Sequence, residues 1–168
     1  MKLVTFLGFP LLLAILFSSC QTIDLYEKTV AIPAHAWRSG FKPEFKFTII
    51  DTTSSYDIFI VVRHNEKYNF NNIWVNLTTI VPNDTTRRTV KYELPLANSE
   101  GWIGKETAMD DLYDHRILIT PKNEDNRLKA GDYTFSIEQL MREDPLQNIL
   151  NVGLRVEKRQ GNQSNPVQ

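Results

Sequence analysis

The chain is poor in the residues that most often carry chemistry. Its 168 residues include one cysteine, and its three histidines, His35, His64 and His115, fall in separate segments without H-x-x-x-H spacing. A disulfide needs a second cysteine and a metal site needs clustered ligands, so the sequence favours neither. A G-x-S-x-G elbow for a nucleophilic serine is absent too. We therefore expect no enzymatic activity, no cofactor and no metal.

Long runs of one charge are also missing. Lysine and arginine number 19 against 20 aspartate and glutamate, and basic residues stand together only in pairs such as Arg87-Arg88. Nucleic-acid binding normally requires a basic patch or stripe. We expect no nucleic-acid partner, and the sequence does not favour a small-molecule ligand.

The longest apolar run lies at the N-terminus and ends at the only cysteine. Lys2 is followed by an apolar stretch over residues 4–17, two serines and Cys20. A basic start, a short apolar stretch and small residues before a cysteine are typical of a bacterial lipoprotein signal. The stretch is shorter than the roughly 20 residues that span a bilayer, which argues against a transmembrane helix. A secretory signal with an incidental cysteine stays open, because Phe17 stands where the usual lipobox has leucine.

Cleavage before Cys20 divides the chain into four parts. Residues 1–19 form the lipoprotein signal peptide, and residues 20–27 form a polar tether from the lipidated cysteine. Residues 28–158 form a single domain of ordinary size, and residues 159–168 form a polar tail that we predict to be disordered. Two or more acyl chains hold a protein firmly at a membrane. We expect a lipid-anchored cell-envelope protein that faces the periplasm, because no acidic run follows the cysteine.

Alternating apolar residues predict strands throughout the domain. Phe45, Phe47 and Ile49 alternate with polar residues, as in a strand with one buried face. In residues 56–62 both alternating sets are mostly apolar, which indicates a central strand covered on both faces. Further strands are predicted at residues 73–81, 89–96, 116–120, 132–137 and 151–158. Seven or eight short strands separated by turn-forming residues predict an all-β fold, an antiparallel β-sandwich.

Only one segment has a helical pattern. Thr107 and Asp110 have the spacing of a helix capping box, so residues 107–113 are predicted to form at most one short helix. Residues 139–150 are ambiguous, because their beginning fits either a continuing strand or a helical turn before Pro145.

Trp102 is the aromatic residue with the most unusual neighbours. Gly101 and Gly104 flank it, which favours a close, irregular turn. The indole ring either plugs one end of the sandwich or is displayed for a ligand or a protein partner.

The order and spacing of several motifs resemble one protein family. They are Phe45-x-Phe47, Asp51-Thr52, Arg63-x-Asn65-x-x-Tyr68-x-Phe70-x-Asn72, Gly131-x-Tyr133, Met141-Arg142-Glu143 and Val152-Gly153-x-Arg155-Val156-Glu157-Lys158. With the lipoprotein signal and the chain length, they make the chain resemble the gliding-motility lipoprotein GldH family of Bacteroidota. The resemblance implies a membrane-anchored cell-envelope lipoprotein of the gliding machinery, without enzymatic activity, whose partners are other envelope proteins.

A lipid-tethered sandwich is suited to docking other proteins through its strand edges and loops, so we expect a scaffold or adaptor. Arg63 and Arg155 are expected to brace carboxylates across the sheets. Two alternatives stay open. One is a glycan-binding or substrate-capture lipoprotein, which an exposed Trp102 would favour, and the other is an envelope structural subunit in a species that does not glide.

Two short motifs indicate a modification. Asp51-Thr52-Thr53 and Asp84-Thr85-Thr86 resemble the O-glycosylation sequon of Bacteroidota envelope proteins. Thr52 and Thr85 are the acceptors that this pattern predicts.

Overall fold

Antiparallel strands make up most of the chain. The computed structural model describes residues 25–106, 111–122 and 124–159. The eight long strands are β1 (Leu25–Ala31), β2 (Glu44–Ile49), β3 (Tyr56–Asn65), β4 (Asn72–Ile80), β5 (Arg88–Pro95), β6 (Leu112–Leu118), β7 (Gly131–Gln139) and β8 (Ile149–Lys158). A 3-10 turn, Pro33–His35, follows β1. The predicted all-β fold is confirmed.

The long strands form two sheets that pack face to face. Sheet 1 has the order β1-β8-β3-β6 and sheet 2 the order β2-β7-β4-β5, and all neighbouring strands are antiparallel. The short strand Lys105–Glu106 pairs with β6 and extends sheet 1. Across the core β1 lies over β2, where the ring centroids of Tyr26 and Phe47 are 5.2 Å apart. The architecture is therefore an antiparallel β-sandwich.

The core is built from the alternating apolar residues of both sheets. In β2, Phe45, Phe47 and Ile49 are buried and the residues between them are exposed. Sheet 1 contributes Ile58, Ile60, Val62, Val152, Leu154 and Val156 to the same cluster. Burying one such side chain stabilises the fold by roughly 1.5–3 kcal/mol. Val61, on the opposite face of β3, is also buried, as predicted for a central strand.

Antiparallel pairing collects the connections at two ends of the sandwich. The tether end holds Leu25, the connections 50–55, 81–87 and 119–130, and the chain exit at residues 158–159. The distal end holds residues 32–43, 66–71, 96–106 and 140–148. Two pairs of two-residue strands lie at the distal end, Ala36–Trp37 with Leu146–Gln147 and Ala97–Asn98 with Gly101–Trp102. The distal end is thus the more elaborately covered of the two.

Strand β1 is the long strand that the sequence pattern missed. It begins at Leu25, inside the segment 20–27 assigned to the tether, and pairs with β8 over its whole length. Its alternation is obscured because both faces carry polar residues, including Glu27 and Lys28. Pairing along β8 compensates for this weak local signal.

The predicted helix does not extend to its expected end. Residues 107–110 lie outside the described residues, and Leu112 and Tyr113 begin β6, where Leu112 pairs with Asn65 of β3. Pairing with a central strand outweighs a weak local helical preference. In the ambiguous segment 139–150, β7 ends at Gln139, so neither a long strand nor a helix spans it. The predicted tail lies outside the described residues from residue 160 onward.

Candidate functional site

A groove opens on the outer face of sheet 2 at the distal end. Its volume is about 400 Å³, and Phe70, Asn72, Trp74, Lys91, Leu140, Met141 and Arg142 line it. Trp74 lies on this outer face because Ile73 and Val75, its neighbours in β4, are fully buried in the core. The side-chain alternation of one strand therefore presents an indole ring to the surface.

Backbone hydrogen bonds fix the wall of this groove. The Leu140 N–H donates to the Trp74 carbonyl oxygen at 2.8 Å, and the Trp74 N–H donates to Met141 Sδ at 3.3 Å. The segment that follows β7 is thus held against the start of β4. The groove is a preformed feature: strands β4 and β5 supply Asn72, Trp74 and Lys91, and the connections 66–71 and 140–148 supply the remaining lining residues.

Cations stand at the rim of the groove. Lys91 Nζ lies 4.3 Å from the centroid of the Trp74 ring, a favourable cation–π contact. Lys91 and Arg142 are both exposed, and neither forms an ion pair with a carboxylate among the described residues. Glu93 is the nearby acid, and it accepts a hydrogen bond of 2.6 Å from the Asn72 side-chain amide. The groove combines an aromatic floor with positive charge.

A buried pair of histidines lies under the distal end of sheet 1. The Nε2 atoms of His64 and His115 are 2.9 Å apart, and His64 Nδ1 is 2.7 Å from the Asn65 carbonyl oxygen. A carbonyl oxygen only accepts, so His64 Nδ1 carries the proton and donates. In a neutral His64 the Nε2 atom then accepts, and His115 Nε2–H is the donor. The geometry thus assigns one neutral tautomer to each ring.

Burial keeps both rings neutral. Burial, together with the neighbouring His64, lowers the pKa of His115 to about 4, and Asp114 opposes the shift. Burial likewise lowers the pKa of His64, against the hydrogen bond to the Asn65 carbonyl. His64 is hydrogen-bonded through both ring nitrogens and His115 through Nε2, so the pair has the character of a buried structural network.

Trp102 packs inward against this pair. Its ring centroid lies 4.4 Å from that of His64 in an edge-on arrangement, and 5.7 Å from that of Tyr113. Gly104, two residues further on, lies against the other histidine, where a Cβ atom would be only 2.6 Å from His115 Cε1. The ring is partly buried at the sandwich end, which is the plugging arrangement of the two considered from the sequence.

Ion pairs cover the outer face of sheet 1. Arg63 forms two hydrogen bonds with Asp114 on the neighbouring strand, one of them 2.7 Å long. Glu27 of β1 accepts from Arg116 at 3.0 Å and also from Arg155. Both predicted arginines therefore contact carboxylates, but they connect strands of one sheet and do not bridge the two sheets. Burial acts to raise the pKa of Glu27, but the two arginines outweigh it and the pKa lies below its usual value.

The predicted glycosylation acceptors share a local geometry. Asp51 Oδ1 accepts from the Thr53 N–H at 2.8 Å, and Asp84 Oδ1 accepts from the Thr86 N–H at 2.8 Å. Each aspartate thereby forms a turn that leaves the middle threonine, Thr52 or Thr85, exposed. Both threonines lie at the tether end.

Other sequence-based candidates lie elsewhere. Cys20 is outside the described residues. Within residues 25–106, 111–122 and 124–159, no group of three His, Cys, Asp or Glu side chains is placed to hold a metal ion. In the same ranges no helix is long and apolar enough to cross a membrane. The groove around Trp74 was missed, and the available signal was a tryptophan at a solvent-facing position of a strand.

The fold and surface define an all-β protein, a two-sheet antiparallel sandwich that carries a preformed groove. Its family follows from sequence. The sequence model of GldH lipoproteins matches residues 24–156, and the chain belongs to this family.

Two relatives extend the match to nearly whole chains. The chain is 30% identical over 152 residues to a gliding motility lipoprotein GldH homolog of Christiangramia forsetii, covering 86% of this chain and 90% of the relative. It is 28% identical over 160 residues to the gliding motility lipoprotein GldH of Flavobacterium johnsoniae, covering 90% and 96%. The resemblance inferred from the sequence motifs is confirmed.

Similarity to solved structures is weaker. A carbohydrate-binding module specific for non-crystalline cellulose aligns with a TM-score of 0.44 and 11% identity, covering 80% of this chain and 73% of that one. Similarity at this level transfers no function to the chain.

Proposed function

We propose that the protein is a membrane-anchored envelope lipoprotein of the gliding-motility machinery and acts there as a non-enzymatic scaffold or adaptor. The family match over residues 24–156 carries this proposal. The names of both relatives, gliding motility lipoproteins, support the place in the gliding machinery. The two histidines are buried and share a hydrogen bond between their Nε2 atoms, which supports a role without catalysis because little of either ring is accessible to a substrate.

Lipid on Cys20 supplies the anchor in this proposal. Strand β1 begins at Leu25, five residues after the cysteine, so the sandwich stays close to the membrane that holds the lipid. The domain faces the periplasm, and its distal end points away from the bilayer.

The groove around Trp74 is the docking site that we assign to the adaptor role. Its occupant is an extended segment of another envelope protein that carries acidic and aromatic side chains. Charge complementarity supports this choice, because Lys91 and Arg142 lack carboxylate partners among the described residues. Aromatic residues and arginines are the groups that most often dominate binding energy at protein interfaces.

Substitutions in the groove test the adaptor role in living cells. The full-length lipoprotein is expressed in its native host with Trp74→Ala or with Arg142→Glu, and envelope proteins are captured after mild crosslinking. The matched control is Lys46→Glu, because Lys46 lies on the outer face of the same sheet and is exposed. We expect both groove variants to capture less envelope protein than the parent, and cells that express them to spread more slowly. The control should match the parent in both measurements. Unchanged capture and spreading in both groove variants would contradict the proposed docking site.

Glycan capture is the second candidate function, and Trp74 is the observation that favours it. A half-buried indole at the surface, beside the Asn72 amide and the Glu93 carboxylate, offers the stacking surface and hydrogen-bonding groups that sugars require. Titration of the protein with oligosaccharides, followed by calorimetry, separates the two. Saturable binding that Trp74→Ala abolishes would favour glycan capture over the adaptor role.

A further inference from the structure

Hydrogen bonds and an ion pair hold the connections of the tether end together. Lys158 Nζ lies 2.7 Å from Asp51 Oδ2, and Arg159 Nη1 donates to the Glu124 carbonyl oxygen at 2.9 Å. The Tyr56 N–H donates to the Asn126 carbonyl oxygen at 3.1 Å. These contacts join the chain exit to two of the three connections at this end, so its surface has a defined shape.

Chain length holds this end near the anchor. Five peptide units separate Cys20 from Leu25. At 3.3 to 3.6 Å per residue they reach at most about 18 Å. The sandwich is longer than this reach, because β3 and β8 each have ten residues. A lipid on Cys20 therefore keeps the tether end, and not the distal end, at the bilayer surface.

Two strongly exposed apolar side chains lie at this end. Leu25 is 53% exposed and Ile50 is 48% exposed. Leu25 is the first residue of β1, and Ile50 follows the last residue of β2. These two strands face each other across the core at Tyr26 and Phe47. Large apolar side chains at the end of the domain nearest the lipid are suited to entering the boundary between headgroups and acyl chains.

The charge of the tether end is also suited to a membrane. Its connections and chain exit contain six basic residues (Lys or Arg) and four acidic residues (Asp or Glu). The segments of the distal end contain five basic and five acidic residues. Arg87, Lys122 and Lys129 are exposed and form no ion pair with a carboxylate among the described residues. At the same end, the acid Glu124 also forms no ion pair with a lysine or arginine among the described residues. Exposed basic residues without an ion pair therefore outnumber such acids at the tether end, and this positive charge attracts anionic headgroups.

We propose that the tether end docks directly on an anionic lipid surface, with Leu25 and Ile50 in the headgroup region and Arg87, Lys122 and Lys129 against lipid phosphates. The proposal rests on the lipidation of Cys20 proposed above. Docking fixes the orientation of the sandwich, so that the groove around Trp74 faces away from the bilayer.

A depth measurement on the lipidated protein tests this orientation. Ile50→Cys and Ile103→Cys are each labelled with an environment-sensitive fluorophore, and the protein is reconstituted into vesicles with anionic phosphatidylglycerol and lipids that carry a quencher. Ile103 is the matched control, because it is 49% exposed and lies at the distal end. We expect several-fold stronger quenching at residue 50 than at residue 103. Equal quenching at the two positions would overturn the proposal.

A charge test and a binding test complete the experiment. Replacing Lys122 and Lys129 by glutamine, or omitting phosphatidylglycerol, is expected to reduce quenching at residue 50, and no reduction in either case would overturn the role of these cations. Sedimentation with the vesicles reports the anchor separately. Protein that fails to sediment overturns the lipidation of Cys20 and the docking with it, whereas protein that sediments with residue 50 unquenched overturns the docking alone.

Discussion

Protonation of the buried histidine pair should limit the stability of the sandwich in mild acid. The pKa of His115 is about 4, against 6.5 for an ordinary histidine. Between these values the unfolded chain binds a proton that the folded chain does not bind. The contribution of the neutral His115 to the unfolding free energy is therefore fully present above about pH 6.5, and it is lost as the pH decreases towards 4.

The magnitude follows from the difference in pKa. Each unit corresponds to about 1.4 kcal/mol, so His115 alone removes about 2 kcal/mol of unfolding free energy by pH 5 and about 3 kcal/mol at full protonation. The lowered pKa of His64 adds to the loss. Carboxylates with lowered pKa, such as Asp114, lose their contribution only at lower pH. The interval from pH 7 to pH 5 thus reports the histidines.

Urea denaturation at several pH values measures this loss. His115→Gln removes the titrating ring and keeps an N–H donor for His64. The unfolding free energy of this variant should therefore fall between pH 7 and pH 5 by about 2 kcal/mol less than that of the parent. His35→Gln is the matched control, because it removes a histidine that is exposed on the 3-10 turn and lies outside the buried pair. A parent stability that does not change from pH 7 to pH 5, or an unchanged slope in His115→Gln, would refute the reasoning.

Three further predictions concern packing, charge and modification. Gly104→Ala should lower the unfolding free energy by about 1–3 kcal/mol, because the new Cβ meets the His115 ring; Gly40→Ala, with open space around it, should change thermal unfolding little. Glu27→Gln should cost about 1 kcal/mol in urea denaturation, because two arginines lose a charged partner. An equal loss in the control Glu44→Gln, whose pair with Lys46 is exposed, would speak against the Glu27 network. Intact mass of the native protein should show hexose increments if the Asp-Thr-Thr motifs are used, and their absence removes that hypothesis.

The glycosylation and docking hypotheses constrain each other. Thr52 and Thr85 lie at the tether end, where a glycan on either residue would stand between the sandwich and the bilayer. A mass that includes sugar at these positions would therefore count against direct contact of Ile50 with lipid.

Strands with a clear apolar alternation could be predicted from the sequence. Phe45, Phe47 and Ile49 follow a period of two, and β2 has those residues buried. Strand β1 was missed because its residues are mostly exposed, and its position is fixed by pairing with β8, more than a hundred residues away. Periodicity records burial, so it fails where a strand is held mainly by backbone pairing and by ion pairs such as those of Glu27.

The surface features were only partly within reach of the sequence. The glycines around Trp102 indicated an irregular turn, but the ring's contact with His64 depends on strands distant in sequence. The groove required three separate segments to meet: residues 70–74, Lys91 and residues 140–142. Single-sequence patterns indicate local geometry and carry little information on which loops meet at one end of a sandwich.

The most direct test of a lipid-anchored envelope protein is the mass of the N-terminal peptide from the native mature protein. The account predicts a peptide that begins at Cys20 and carries a diacylglyceryl group on its sulfur, and a Cys20→Ala protein that leaves the membrane fraction. A mature chain that begins elsewhere, or a Cys20 with a free thiol, would contradict it.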